Sequence, residues 1–184
     1  MVKNFSIRIE HGNYKGIKIS DGFFGEGSRI TTSANRCVLF NVLRNKLYID
    51  FNNLTCADFC CGSGIVGFEM LSLGCKKCIF ADCDKTKLKN IDQSIKKTNF
   101  NATTIYTYLP SILLNEKFDI IFFDPPYINN FCQQTIDMIF EKQLLNKNGI
   151  LIVETKQDID AKNYNILDIK TLKNKAKFYF LSSK

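Results

Sequence analysis

The stretch Asp58-Phe59-Cys60-Cys61-Gly62-Ser63-Gly64-Ile65-Val66-Gly67 decides the fold class of this 184-residue chain. Residues 54–60 are apolar and strand-like, and residues 65–73 carry a helical pattern. The three glycines match G-x-G-x-x-G in the strand–turn–helix context that this motif requires, because the turn is tight and a ligand must approach the backbone closely. The stretch therefore predicts a βαβ unit whose glycine-rich loop binds a ligand.

Strands and helices alternate from this loop to the C-terminus. Residues 118–123 are almost continuously apolar, which is typical of a strand buried on both faces. The pattern predicts an α/β fold with a mostly parallel seven-stranded sheet and helices on both faces. The predicted strands are 54–60, 78–81, 103–108, 118–123, 150–154, 164–170 and 176–181, and the predicted helices are 65–73, 84–98 and 131–145.

The first fifty residues have a different pattern. Residues 5–10 and 14–19 flank a turn at Gly12 and Asn13, which predicts a β-hairpin. After a glycine-rich segment, Thr32 or Ser33 is expected to cap a helix with four apolar residues on one face, namely Val38, Leu39, Val42 and Leu43. We therefore expect an N-terminal extension, residues 1–50, packed on an α/β domain, residues 51–184, in one compact unit.

The net charge is +7, and it is unevenly distributed. Residues 1–50 carry +4, residues 51–124 carry 0 and residues 125–184 carry +3. This excess of base favours a polyanionic partner. The eight cysteines accompany no apolar leader and no second C-x-x-C, so we expect free thiols, no metal site and a cytoplasmic protein without membrane contact.

Two acidic residues indicate the type of cofactor. Asp82 ends the second predicted strand of the α/β domain, where a carboxylate can accept both ribose hydroxyls of a nucleoside. Asp58 stands just before the glycine loop, where it would repel a pyrophosphate. A carboxylate there suits a cofactor that carries cations, such as the ammonium and sulfonium of S-adenosylmethionine.

The motif Asp124-Pro125-Pro126-Tyr127 follows the most apolar strand. The prolines end the strand, but strand termination does not explain the flanking acid and aromatic ring. A nucleobase amine is a poor nucleophile because its lone pair is delocalised into the ring. Asp124 and the Pro125 carbonyl can accept its two N–H groups and direct the lone pair outward, while Tyr127 stacks on the base. The motif predicts a site for amine methylation.

The chain resembles the Rossmann-like S-adenosylmethionine methyltransferases, and within them the bacterial 16S ribosomal RNA guanine-N2 methyltransferases of the RsmD type. The resemblance covers nearly the whole chain, through the blocks 8–16, 29–41, 58–67 and 124–127. It implies a monomer that methylates a guanine in the small ribosomal subunit or an assembly intermediate. The implied cofactor residues are Asp58, Gly62, Ser63, Gly64 and Asp82, the implied catalytic residues are Asp124, Pro125, Pro126 and Tyr127, and the implied RNA contacts are Arg29, Thr31 and Arg36.

The chain departs from the family pattern at several positions. Ile30, Ser33 and Cys37 stand where the family has proline, aspartate and glutamate. Thr107 and Tyr108 stand where the family places an aspartate after its third strand, which leaves the contact to the adenine ring open.

Three other functions remain open from the residues. A DNA adenine-N6 methyltransferase uses the same D-P-P-Y chemistry, although only the first fifty residues remain for target recognition. An RNA-binding or assembly factor with weak catalysis is compatible with the missing acid. A dehydrogenase is compatible with the glycine loop and Asp82 alone.

Overall fold

A computed structural model describes residues 7–19, 31–126, 128 and 130–184. The α/β domain is built on a seven-stranded sheet, which follows the two short strands β1 and β2 of the N-terminal extension (Ile7–Arg8 and Lys18–Ile19). Its strands are β3 Thr55–Phe59, β4 Lys77–Asp82, β5 Ala102–Tyr106, β6 Phe118–Phe123, β7 Leu145–Thr155, β8 Tyr164–Thr171 and β9 Lys177–Ser183. They lie in the order β5-β4-β3-β6-β7-β9-β8. Strands β3 to β7 are parallel, whereas β9 is antiparallel to both of its neighbours.

Helices cover both faces of this sheet, as the sequence predicted. One face packs against α2 (Ile65–Ser72), α3 (Lys85–Thr98) and the N-terminal extension. The other packs against α4 (Phe131–Glu141) and the segment before β6, through residues such as Ile112. The strand order reverses between β3 and β6, and ligands of open α/β sheets bind at the carboxyl ends of the strands at such a point.

In the N-terminal extension, residues 31–50 form the helix α1 (Ser33–Asn41), followed by a π-helical turn at Val42–Lys46. The Thr32 hydroxyl accepts the Asn35 backbone N–H at 3.2 Å, so Thr32 is the N-cap. Leu39, Val42 and Leu43 are buried as predicted, but Val38 is 37% exposed. The buried face instead includes Phe40, because the extension packs against the same core as β3 and α2.

The predicted hairpin is present, and its strands are shorter than predicted within the described residues; residues 5 and 6 of the first predicted strand lie outside them. Its strands, β1 Ile7–Arg8 and β2 Lys18–Ile19, are antiparallel. The intervening chain folds onto α2, where the Asn13 N–H donates to the Ser72 carbonyl at 2.8 Å. Tyr14 therefore packs on Phe100, with ring centroids 4.4 Å apart, rather than extending a strand.

The boundary between α4 and β7 also differs from the prediction. The sequence predicted a helix over residues 131–145 and a strand over residues 150–154. The helix ends at Glu141, and Gln143 turns the chain with a φ of 51°. Leu145 then begins β7, which is longer than predicted and has an irregular register with β6.

None of the helices within the described residues is both long and apolar enough to cross a membrane.

Candidate active site

The glycine loop folds into a tight turn with two positive-φ glycines. Gly62 has a φ of 54° and Gly64 a φ of 72°, values that favour glycine. The Gly64 N–H donates to the Cys61 carbonyl at 2.7 Å. Gly67 has another role, because a Cβ at this position would lie 2.3 Å from Cε1 of Phe80. The third glycine thus lets α2 pack closely on β4.

Asp58 is buried beneath this loop, with 2% of its surface exposed. Its Oδ2 accepts the Gly67 backbone N–H at 3.0 Å. Burial raises the pKa of the Asp58 carboxyl well above its usual value, and the negative charges of Asp124 and Asp82 raise that pKa further. A neighbouring cation would therefore stabilise the carboxylate form of Asp58.

Asp82 is held in place by two backbone donors. The Gly62 N–H donates to Oδ2 at 2.9 Å, and the Asp84 N–H donates to Oδ1 at 3.0 Å. The carboxylate therefore couples the end of β4 to the glycine loop. Each oxygen has a second lone pair with which it can accept a hydroxyl.

The carboxyl ends of β3, β4 and β6 surround a cavity of about 610 Å³. Gly62, Asp82 and Asp124 all line it, so the structure brings the glycine loop, the acid at the end of β4 and the proline motif together. Its other lining residues are Cys60, Ala81, Cys83, Lys87, Thr107, Tyr108, Leu109, Pro125, Pro126, Ile128 and Phe131. A small recess of about 20 Å³ adjoins the same loop, between Asp58, Ser63, Asp124 and Thr31.

The proline motif projects into the cavity from β6. The Asp124 N–H donates to the Phe59 carbonyl at 3.4 Å, which ties the motif to the end of β3. The Pro126 carbonyl accepts the Ile128 N–H at 2.8 Å. No backbone N–H among the described residues donates to the Pro125 carbonyl. Tyr127 and Arg29, two predicted site residues, lie outside the residues described.

The chain is similar to known proteins over nearly its whole length. The model of a family described as "Conserved hypothetical protein 95" matches residues 7–181. A relative from Haemophilus influenzae, ribosomal RNA small subunit methyltransferase D, is 33% identical over 175 residues, which cover 90% of this chain and 88% of the relative. The chain belongs to this family.

Two further comparisons support the family assignment and the fold. The Buchnera aphidicola protein of the same name (strain APS) is 33% identical over 84% of this chain and 81% of its own length. The solved structure of yhhF from Escherichia coli has a TM-score of 0.80 and 19% identity, and the match covers 98% of this chain and 99% of that one. The chain is therefore a methyltransferase with the fold predicted from its sequence.

Thr31 and Arg36, the two described residues for which the resemblance implied RNA contact, face inward. Thr31 is buried and donates through Oγ1 to Glu154 Oε2 at 3.1 Å. Arg36 is 3% exposed, and its Nε donates to Glu69 Oε1 at 2.7 Å. Direct contact of the Arg36 guanidinium with RNA would require it to leave this buried pair.

Sequence reasoning missed Glu69, which anchors the N-terminal extension to α2. Its side chain has no exposed surface and contacts both Arg36 and His11. Glu10 adds a second carboxylate at 3.1 Å from Arg36 Nη2. The available signal was a single acid within the otherwise apolar stretch 65–71, which implies a buried partner.

Proposed function

We propose that the protein transfers a methyl group from S-adenosylmethionine to the exocyclic N2 amine of a guanine in small-subunit ribosomal RNA. The observation that carries this proposal is the shared cavity of Gly62, Asp82 and Asp124 at the carboxyl edge of the sheet. The names of the Haemophilus and Buchnera relatives support ribosomal RNA as the substrate class.

The cofactor residues fit S-adenosylmethionine in both size and charge. A cavity of about 610 Å³ is within the usual range of roughly 300–1,000 Å³ for such ligands. Asp82 would hold the ribose hydroxyls, and the loop residues Gly62, Ser63 and Gly64 would give the close backbone approach. Asp58 would balance the positive charge of the cofactor. Burial raises the pKa of Asp58, so its anion is poorly stabilised unless a cation lies beside it. The bound cofactor supplies an electrophilic methyl group.

Asp124 and Pro125 would prepare the guanine amine. The Asp124 carboxylate and the Pro125 carbonyl accept its two N–H groups, which favours a pyramidal nitrogen with an outward lone pair. Each proline fixes its own φ and keeps the preceding residue extended, so these acceptors are preorganised. Tyr127 completes the proposed catalytic set by stacking on the extruded base.

Exposed lysines at the same edge of the sheet would hold the RNA backbone. Thr155 ends β7 and pairs with Lys177, so the β8–β9 turn lies at the edge where Asp124 is found. Lys173 and Lys175 are exposed in that turn. They suit phosphate contacts that position RNA without reading its sequence.

The test is methyl transfer from labelled S-adenosylmethionine to 16S ribosomal RNA, assembled small subunits or duplex DNA. We expect label in RNA or in the subunit, and at least a 100-fold loss with Asp124→Asn, since that change removes the charged acceptor. Asp50→Asn, an exposed change outside the cavity, is the matched control. Label only in DNA would identify the adenine-N6 alternative, and RNA binding without transfer would identify the assembly factor.

A further inference from the structure

Helix α3 carries a concentration of positive charge that the neutral sum over residues 51–124 conceals. Within Lys85–Thr98 there are five lysines and one acid, Asp92, so this helix carries +4. The other acids of residues 51–124 lie outside the helix, among them Asp82 and Asp124 at the candidate site. Opposite charges are therefore separated here, with acids at the site and lysines on the neighbouring helix.

Three of these lysines lie in one row on the exposed side of α3. Lys85, Lys89 and Lys96 are exposed, and spacings of four and seven residues place them on the same helix face. With a rise of about 1.5 Å per residue, this lysine row is about 16 Å long. It begins two residues after Cys83, which lines the cavity, and runs away from the cavity along the helix.

The ammonium groups of the lysine row lack carboxylate partners. Among the described residues, no ion pair includes Lys85, Lys89 or Lys96. Asp92 lies on the same side of the helix, but its Oδ1 accepts the Thr104 hydroxyl at 2.9 Å. Lysines on other surfaces do pair with carboxylates, namely Lys46, Lys77, Lys162, Lys170 and Lys177. The lysine row is therefore available to an anionic ligand.

Positive charge continues from α3 onto the N-terminal extension. Lys97 Nζ donates to the Lys18 carbonyl at 3.1 Å, so β2 lies beside the C-terminal end of α3. The Lys18 side chain is exposed and takes part in none of the ion pairs of the described residues. The basic surface therefore joins the lysine row to the extension, which itself carries +4.

A linear row of ammonium groups fits the phosphates of a nucleic-acid strand better than it fits a small anion. A small anion needs donors that converge on one point, whereas Lys85 and Lys96 are about 16 Å apart along the helix axis. That length corresponds to roughly five phosphates of one strand at about 3.4 Å each. Lysine contacts phosphate as a point charge and reads no base, so such contacts position a strand without selecting its sequence.

We propose that the lysine row binds the sugar-phosphate backbone of the RNA strand that leads away from the target nucleotide. The row starts beside the cavity, so an RNA whose target base enters the cavity can continue along α3. The β8–β9 turn lies toward the opposite end of the sheet, so the two basic surfaces would flank the cavity. This inference rests on the proposed function, because it takes ribosomal RNA as the polyanion.

The test uses the two lysines that lie farther from the cavity. The Lys85 ammonium lies 4.7 Å from the ring centroid of Tyr106, at the end of β5, and is left unchanged. Lys89→Gln/Lys96→Gln removes two charges and preserves the helix, because glutamine and lysine have similar helix propensities. Neither position lines the cavity or the adjoining recess.

Filter binding of a 16S ribosomal RNA transcript, over a series of salt concentrations and without cofactor, gives the first readout. For the double variant we expect affinity at about 0.1 M salt to fall about tenfold to 60-fold. The slope of log K against log salt should become less steep by about 1.4–1.8, because two phosphate contacts are lost. Lys117→Gln/Lys147→Gln is the matched control, since it removes the same charge at the amino edge of β6 and β7, opposite the cavity. The control should lose less than about twofold in affinity, because screening limits distant charges.

Cofactor binding and methyl transfer separate this inference from the proposed function. By calorimetry, Lys89→Gln/Lys96→Gln should bind S-adenosylmethionine within about twofold of the wild type. Its KM for RNA should rise while kcat stays within about twofold, since the contacts serve binding and not chemistry. A large loss of cofactor affinity, unchanged RNA affinity, or equal weakening by the control variant would overturn the inference.

The two proposals can fail separately. If the wild type methylates RNA while Lys89→Gln/Lys96→Gln binds RNA normally, only this inference fails. If the double variant loses RNA affinity as expected but the wild type transfers no methyl group, only the proposed function fails.

Discussion

Arg36 Nε lies 2.7 Å from Glu69 Oε1, and this buried pair joins the N-terminal extension to helix α2. The same helix begins at the glycine loop, and the N–H of its Gly67 donates a hydrogen bond to Asp58 Oδ2. The position of the extension is therefore coupled to the loop through one rigid helix. Thr31, which precedes the N-cap residue of α1, lines the recess together with Asp124.

Removing Arg36 should destabilise the whole protein. Arg36→Met leaves the buried Glu69 carboxylate, within the described part of the chain, beside the His11 ring alone, and breaking such a pair costs about 3–5 kcal/mol. Urea denaturation would measure the free energy of unfolding. Lys162→Met is the control, because its ion pair with Asp160 is exposed on both sides and its loss should leave the free energy of unfolding nearly unchanged. Equal losses for the two variants would contradict the buried anchor.

Asp58→Asn should stabilise the protein at neutral pH. Burial raises the pKa of Asp58, so the folded protein binds a proton more readily than the unfolded chain. Stability linked to this group is therefore lost as the pH rises through the raised pKa. An asparagine keeps an oxygen for the Gly67 N–H without the charge, and we expect a gain of about 0.5–2 kcal/mol at pH 8 that vanishes at low pH. A lower free energy of unfolding for Asp58→Asn than for the wild type at pH 8 would contradict the predicted gain.

The same carboxyl should make cofactor binding depend on pH. S-adenosylmethionine favours the anionic form of Asp58, whereas the raised pKa keeps the group protonated at lower pH. Affinity measured by calorimetry should rise with pH until the raised pKa is passed and then level off. Asp58→Asn should bind more weakly and show a flatter profile. An unchanged profile in the variant would assign the pH dependence to another group.

Gly67→Ala should damage the contact between α2 and β4. The added methyl would lie 2.3 Å from the buried Phe80 ring, and overpacking costs about 1–3 kcal/mol. The gain in helix propensity, about 1 kcal/mol, offsets only part of this. The midpoint temperature of thermal unfolding and the affinity for the cofactor should both fall. Gly16→Ala has no atom within 4 Å of its Cβ and should leave cofactor affinity unchanged despite its strained φ of 90°.

The sequence predicted the sheet best where strands are buried on both faces. Strand β6 has the predicted bounds because its apolar run ends at two prolines. The α4–β7 boundary was wrong because Leu144 and Leu145 fit either a helix or a strand, and only the turn at Gln143 decides. The hairpin was overextended because its connecting residues pack on α2, a tertiary contact without a local signal.

The sequence predicted the placement of acids that lie at or near the end of a strand: Asp82 and Asp124 line the cavity, and Asp58 lines the adjoining recess. The roles of these acids stay predictions. The site could not be predicted where distant segments meet. Tyr108 enters the cavity because β5 ends beside β4, and Arg36 turns inward because Glu69 is buried 33 residues away. Side-chain direction at such positions depends on partners that spacing alone does not reveal.

Nucleoside mass spectrometry of 16S ribosomal RNA incubated with S-adenosylmethionine tests the central claim most directly. The wild-type protein should produce N2-methylguanosine, and the Asp124→Asn protein, confirmed as folded by circular dichroism, should produce almost none. Methylation of any other base, or undiminished N2-methylguanosine with Asp124→Asn, would contradict the account.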